Sequence, residues 1–176
     1  MKCIAIGGVP ATGKTTLMRA LLSFLKPDAT FKYGLLRGYI KKQNNIAILG
    51  IYEPEEVFAG TDKLSMAVQP DFDKYRDKNH KHIIFEGDRL FTKNNLLNLT
   101  ATHETKIVIL ENIKTVLHER HIARADSQTE KFLKGRHTKL ENIITEELLQ
   151  PYIERYTLSN PAETNNLAER LAQFVS

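Results

Sequence analysis

The sequence predicts an α/β fold in which a mostly parallel sheet carries helices on both faces, and three observations point to it. Short apolar runs alternate with amphipathic stretches, the first run passes through glycines into a helix, and no repeat or low-complexity linker breaks the alternation. A chain of 176 residues that is 41% hydrophobic can bury one substantial core, so a single domain over residues 1–176 is expected.

Taken in order, residues 2–7 are built on Cys3-Ile4-Ala5-Ile6 and read as a buried strand meeting Gly7 and Gly8. From Lys14 a helix follows with Leu17, Leu21, Phe24 and Leu25 on one face, and Pro27 ends it. Tyr39-Ile40-Lys41-Lys42 and residues 46–52 read as extended runs joined by Gln43-Asn44-Asn45, a hairpin expected at an edge of the sheet. Residues 71–81 read as a solvated helix, and 82–87 as a core strand. A helical piece around residues 94–99 then leads to an apolar strand at 106–110. Residues 117–139 are polar and basic, and beyond them Leu140, Ile143, Ile144 and Leu148 carry a helical stripe that Pro151 stops. Tyr156-Thr157-Leu158 is a short last strand, and Asn160-Pro161-Ala162-Glu163-Thr164 caps a final helix through Leu167, Leu171 and Phe174.

The lone Cys3 lies in an apolar run and reads as a core residue of a protein in a reducing, cytoplasmic setting. No run reaches the roughly eighteen apolar residues a membrane span requires, so no membrane partner is expected. A net charge of +4 suits a polyanionic partner and a triphosphate site equally.

The most specific motif is Gly8-Val9-Pro10-Ala11-Thr12-Gly13-Lys14-Thr15, set between the first strand and the first helix. Glycines let the backbone turn tightly, so successive N–H groups converge on phosphate oxygens while the helix adds its positive end. Gly8, Ala11, Thr12 and Gly13 would form the cradle. Lys14 would reach the terminal phosphates, Thr15 would offer its hydroxyl to Mg²⁺, and Thr16 would bond the α-phosphate. An Asn-Lys-x-Asp guanine reader is missing, since Thr92-Lys93-Asn94-Asn95 lacks the aspartate, and the chain leaves little room for the additional elements of motor ATPases.

Two looser features accompany the loop. Glu86-Gly87-Asp88-Arg89 closes the strand at 82–87, at the end where an open sheet forms its crevice. Glu86 or Asp88 would hold Mg²⁺ or take a proton, only one of the two facing the site easily, and Arg89 would hold negative charge. The segment from His118 to Arg136 places Arg120 and Arg124 one helical turn apart, positioned to stabilise a migrating phosphoryl group. His118 and His121 have no further ligands that would make a zinc site.

Through Gly8 to Thr16, the strand ending in Glu86-Gly87-Asp88-Arg89 and the basic stretch Arg120 to Arg136, the sequence resembles the adenylate-kinase-like group of nucleoside and nucleotide kinases. The resemblance implies a three-layer phosphate-loop fold, ATP as donor, Mg²⁺, a basic lid over about residues 117–136, and adenine near Ser159 to Thr164. The acceptor region departs from adenylate kinase, because the hairpin and Phe58 to Ser65 stand where that family has a helical arm. Phe58 to Ser65 looks like a segment of small phage-encoded kinases that act on hydroxymethylated pyrimidine bases in DNA. That likeness implies that Asp62 handles the acceptor hydroxyl and Ser65 orients it. It would also have Arg37, Lys41 and Lys42 meet strand phosphates, Phe58 or Tyr39 stack on a base, and the host cytoplasm as the location. The bland alternative makes Gly60-Thr61-Asp62 a turn and helix cap.

The expectation is therefore a kinase moving the γ-phosphate of ATP to a hydroxyl or phosphate of a nucleotide-type acceptor, with a hydroxymethylated pyrimidine base in phage DNA as the particular case. A kinase of small nucleosides or nucleotides is the first alternative. An NTPase whose hydrolysis drives a binding event is the alternative of another class.

Overall fold

The computed structural model describes residues 1–53, 59–79, 81–112 and 129–176. Its elements are β1 (Lys2–Gly7), α1 (Lys14–Leu25), β2 (Ala29–Tyr33), β3 (Leu36–Lys41), β4 (Ile46–Leu49), α2 (Gln69–Asn79), β5 (His82–Glu86), α3 (Lys93–Thr102), β6 (Glu104–Glu111), α4 (Glu130–Ile144), β7 (Ile153–Thr157) and α5 (Pro161–Val175). Single 3-10 segments cover Thr61–Lys63 and Glu147–Tyr152.

Among the described residues, seven strands form one sheet in the order β2-β3-β4-β5-β1-β6-β7. β4 through β7 pair in parallel, whereas β2, β3 and β4 form an antiparallel meander. The central strand β1 is buried on both sides, as a strand between two helical coverings must be. Cys3 and Ala5 join a core with Phe72 of α2, Leu96 and Leu99 of α3 and Ile143 of α4. Ile4 and Ile6 point the other way, to Leu17 and Leu21 of α1 and Leu167 and Leu171 of α5.

Capping follows the local chemistry. Asn160 accepts the Glu163 N–H at 2.9 Å, and Glu163 reaches back to accept the N–H of Ser159, the residue before the cap, at 2.7 Å, which fixes the entry of the chain into α5.

Two expectations need correction. The hairpin of β3 and β4 is not the edge, because β2 lies outside it and β4 joins the parallel strands. Pro151 does not stop the penultimate helix, which ends at Ile144, and lies inside the 3-10 segment that follows. Leu148 therefore leaves the stripe and stands 69% exposed. Residues 130–136 of the expected lid are the first half of α4, while 117–128 lie outside the described residues.

Candidate functional site

The loop from Gly8 to Thr15 leaves β1 and enters α1 through backbone conformations that side chains resist. Gly8 has φ 143, Ala11 φ 67 and Gly13 φ 99. A Cβ on Gly8 would lie 2.5 Å from the Leu110 carbonyl oxygen, so the first glycine is demanded by close approach to β6 as well as by its torsion. A Cβ on Gly13 would meet nothing within 4 Å, which marks that side of the loop as open. Thr12 is buried and donates its hydroxyl to the Val9 carbonyl at 2.9 Å, bracing the loop from within. The Lys14 ammonium lies across the loop, donating to the carbonyls of Gly8 at 2.9 Å and Val9 at 3.0 Å.

Opposite the loop, the end of β5 brings carboxylates to the crevice. Thr15 donates its hydroxyl to Glu86 Oε1 at 3.2 Å. Glu86 is 1% exposed, and its carboxyl is pushed up to about 7 by burial and by the nearby Asp62, against the pull of Lys14 and the Thr15 bond. Asp62 sits in the short 3-10 segment and accepts the Asp88 N–H at 3.0 Å, so the segment after Gly60 is pinned to the end of β5. Thr61 adds a second pin by donating to the Glu86 carbonyl at 2.7 Å. Burial and the charge of Asp88 raise the Asp62 carboxyl above its ordinary range, opposed by Lys14 and Arg89.

Gly60 makes this crowding possible. At φ 75, a Cβ there would fall 2.4 Å from Glu86 Oε1 and 3.1 Å from the Tyr52 hydroxyl. Tyr52 is buried against the same carboxylates, and burial followed by the charges of Glu86 and Asp62 holds its phenol protonated.

Asp88 has other partners. Arg136 and Lys139, one turn apart on α4, hold its carboxylate at 2.8 and 3.4 Å, and Lys139 also donates to its carbonyl at 2.9 Å. The Arg136 guanidinium lies 4.5 Å above the Phe132 ring. Arg89 donates to the Leu64 carbonyl at 3.4 Å, bracing the segment that carries Asp62.

The far side of the loop opens on a cavity of about 380 Å³ lined by Thr16, Ala20, Leu158, Asn160, Pro161 and Asn165, among others. Apolar walls from Ala20, Leu158 and Pro161 with amide groups at the rim suit a flat, polar-edged ring.

Among the expected site residues, the structure brings Gly8, Ala11, Thr12, Gly13, Lys14, Thr15, Glu86 and Asp62 together, with Thr16 on the cavity side. Of the two carboxylates at the end of β5, Glu86 meets Thr15 and Asp88 meets α4. Gly60-Thr61-Asp62 do form a turn, with Gly60 at the cap of the 3-10 segment, but the next α-helix begins only at Gln69 and the Asp62 carboxylate accepts the Asp88 N–H instead of capping it. Arg120, Arg124 and Phe58 lie outside the described residues. Tyr52 and Lys139 are additions that a search for motifs passes over, since neither belongs to one.

Among the described residues, no group of three His, Cys, Asp or Glu side chains forms a closed metal cage. Thr15 and Glu86 offer one hydroxyl and one carboxylate, the sparse protein share that fits Mg²⁺, an ion that keeps waters and substrate phosphates as its other ligands.

A strand, a phosphate loop and a helix at the middle of a mainly parallel sheet, with a carboxylate from the neighbouring strand beside the loop hydroxyl, define a phosphate-loop α/β protein. No protein-family model matches the chain, and no curated protein matches it. Among solved structures, the crystal structure of a gluconokinase from Sinorhizobium meliloti 1021 shares the fold, with a TM-score of 0.52 and 15% identity over 99% of this chain and 95% of that one. Among the described residues, no helix is long and apolar enough to cross a membrane.

Proposed function

We propose that this protein is an ATP-dependent kinase that phosphorylates a hydroxyl group of a small acceptor. One observation carries the reading: Asp62 is held by the Asp88 N–H beside Glu86 and within the field of Lys14, a partly buried carboxylate next to a phosphate cradle. A phosphate loop alone supports nucleotide binding. A base in a water-poor position beside it supports transfer.

In this reading the cradle from Gly8 to Thr16 holds the triphosphate and the cavity bounded by Ala20, Leu158 and Asn160 takes adenine. Mg²⁺, held by Thr15 and by Glu86, would offset charge on the phosphates. Asp62 accepts the proton of the acceptor hydroxyl as its oxygen bonds to the γ-phosphorus and the bond from that phosphorus to ADP breaks. Lys14 offsets charge on the terminal phosphates, and Arg89, Arg120 and Arg124 are assigned to the transferring group. Asp88 serves by placing α4 and the Asp62 carboxylate, more than as a metal ligand.

The fold shared with a gluconokinase supports a small-molecule acceptor over a base in DNA, and gluconate belongs in the first panel of acceptors. The base in phage DNA keeps one observation in its favour, the exposed Lys32 and Arg37 on the outer strands where a nucleic acid backbone could run. Radiolabelled ATP offered to gluconate, nucleosides, nucleoside monophosphates, and DNA with and without hydroxymethylated bases tests the reading. Label in a small acceptor supports it. Fast ATP hydrolysis that no acceptor changes points instead to a nucleotide-driven binding module.

A further inference from the structure

The outer strands place two cations where nothing in the fold needs them. Lys32 of β2 and Arg37 of β3 are directly opposed in register, both exposed, and among the described residues neither has an ion-pair partner. Like charges directly opposite across an antiparallel pair repel, so this pairing weakens the meander it belongs to. Strand alternation puts them on the same face as Tyr39. With Tyr39, Gly50, Ile51 and Glu53 they line a groove of about 470 Å³, a volume suited to a small molecule.

The groove abuts the carboxylate cluster. Tyr39 accepts the Tyr52 N–H at 3.2 Å, and their rings lie 6.4 Å apart. The Tyr52 hydroxyl and Glu86 Oε1 crowd the same point beside Gly60. On the other rim, Arg19 of α1 donates to the Glu53 carbonyl at 2.9 Å, tying the groove to the helix that follows the phosphate loop. Glu53 brings a carboxylate that can accept bonds from hydroxyl groups.

We propose that this groove is the acceptor subsite and that Lys32 and Arg37 select an acceptor carrying an anionic group, a carboxylate or a phosphomonoester, at the end away from the reacting hydroxyl. The assignment rests on the kinase reading. The cation pair that costs the sheet some stability is then balanced by the ligand anion, and the two tyrosines wall off the reacting end.

The test pairs charged and neutral acceptors, glycerate with glycerol and ribose 5-phosphate with ribose, and adds a short single-stranded oligonucleotide. Transfer from labelled ATP is measured for the wild type, Lys32→Gln and Arg37→Gln. Binding of the same compounds is measured with the phosphate loop saturated by a non-hydrolysable ATP analogue. The charged member of a pair should be preferred, and each variant should raise its KM roughly 10- to 100-fold with kcat little changed. The neutral member's KM should not move, and the glycerate and ribose 5-phosphate arms distinguish carboxylate from phosphate. Melting temperatures at or above that of the wild type would show that the variants fold. Equal use of charged and neutral acceptors, or indifference of KM to both variants, overturns the subsite while leaving the kinase intact. Charge-dependent binding without transfer to any acceptor sustains the groove and defeats the kinase reading. Preference for the oligonucleotide, with affinity falling steeply in salt, replaces the small anion with a nucleic acid strand.

Discussion

Thr15 and Glu86 meet across the crevice at 3.2 Å, so the first residue after the loop lysine and the last residue of β5 share one hydrogen bond. The bond joins the glycine-rich loop to a carboxyl that burial raises to about 7. That carboxylate is a strained component of the fold, and its strain is measurable.

Replacing Glu86 with Gln should stabilise the protein alone and impair the reaction. The sign follows from proton linkage: with the folded value raised above the ordinary 4.5, the folded state binds more protons between the two values. The resulting cost is absent below about pH 4.5, grows as pH rises to about 7, and is complete above it. Denaturant unfolding at pH 8 should therefore favour the variant by up to about 3 kcal/mol, with the gap closing at pH 4.5. Transfer should fall about 10²-fold or more. A variant less stable than the wild type at pH 8 would contradict the burial argument.

Lys14→Ala should abolish detectable transfer, a loss on the order of 10³-fold or greater, because in the proposed reaction the ammonium now held by the Gly8 and Val9 carbonyls supplies the loop's charge for the terminal phosphates. Normal turnover in single-turnover assays of this variant would remove the loop from the mechanism.

Asp62→Asn keeps the shape and the oxygen that accepts the Asp88 N–H, and it removes the proposed base. ATP affinity measured by titration should stay within about threefold, while kcat falls roughly 10²- to 10⁴-fold. The acid limb of the wild-type pH–rate profile should also lie above the usual Asp range, since burial and Asp88 raise this carboxyl. Equal loss of ATP binding and of turnover would instead give Asp62 a structural role.

The parts legible in the sequence are those whose signal is local. The loop from Gly8 to Thr15 carries its torsions in its glycines, and the Asn160 and Glu163 pair caps α5 across one turn. β2 is not legible because Phe31 and Tyr33 face inward while Thr30 and Lys32 face water, too brief an alternation after Pro27 to stand out. Tyr52 and Lys139 reach the site only through long-range contacts, with Gly60 and Glu86 in one case and Asp88 in the other, and no spacing rule announces such contacts. The choice between Glu86 and Asp88 could not be read from the strand either. It depends on α4 supplying Arg136 and Lys139 to one carboxylate and leaving the other to Thr15.

Two histidines should make the protein acid-sensitive in a window that Glu86 masks. His82 Nδ1 accepts the Lys2 N–H at 2.9 Å, which requires the neutral ring, and His103 is buried at the end of α3 beside the Thr102 hydroxyl. Burial and nearby positive charge lower both from the ordinary 6.5. The folded state then binds fewer protons than the unfolded chain, so stability rises with pH through the interval that ends near 6.5 and falls as acid is added below it. Glu86 acts in the opposite sense over much of the same interval, because its proton uptake favours the folded state as pH drops toward 4.5. Stability measured between pH 7.5 and pH 5 should therefore change little in the wild type and fall more steeply toward acid in Glu86→Gln, where Asp62 alone is left to oppose the histidines. Adding His82→Gln, whose amide oxygen can still accept from Lys2, should restore part of that loss. An acid response of Glu86→Gln that His82→Gln leaves unchanged would show that His82 is not held neutral by the fold.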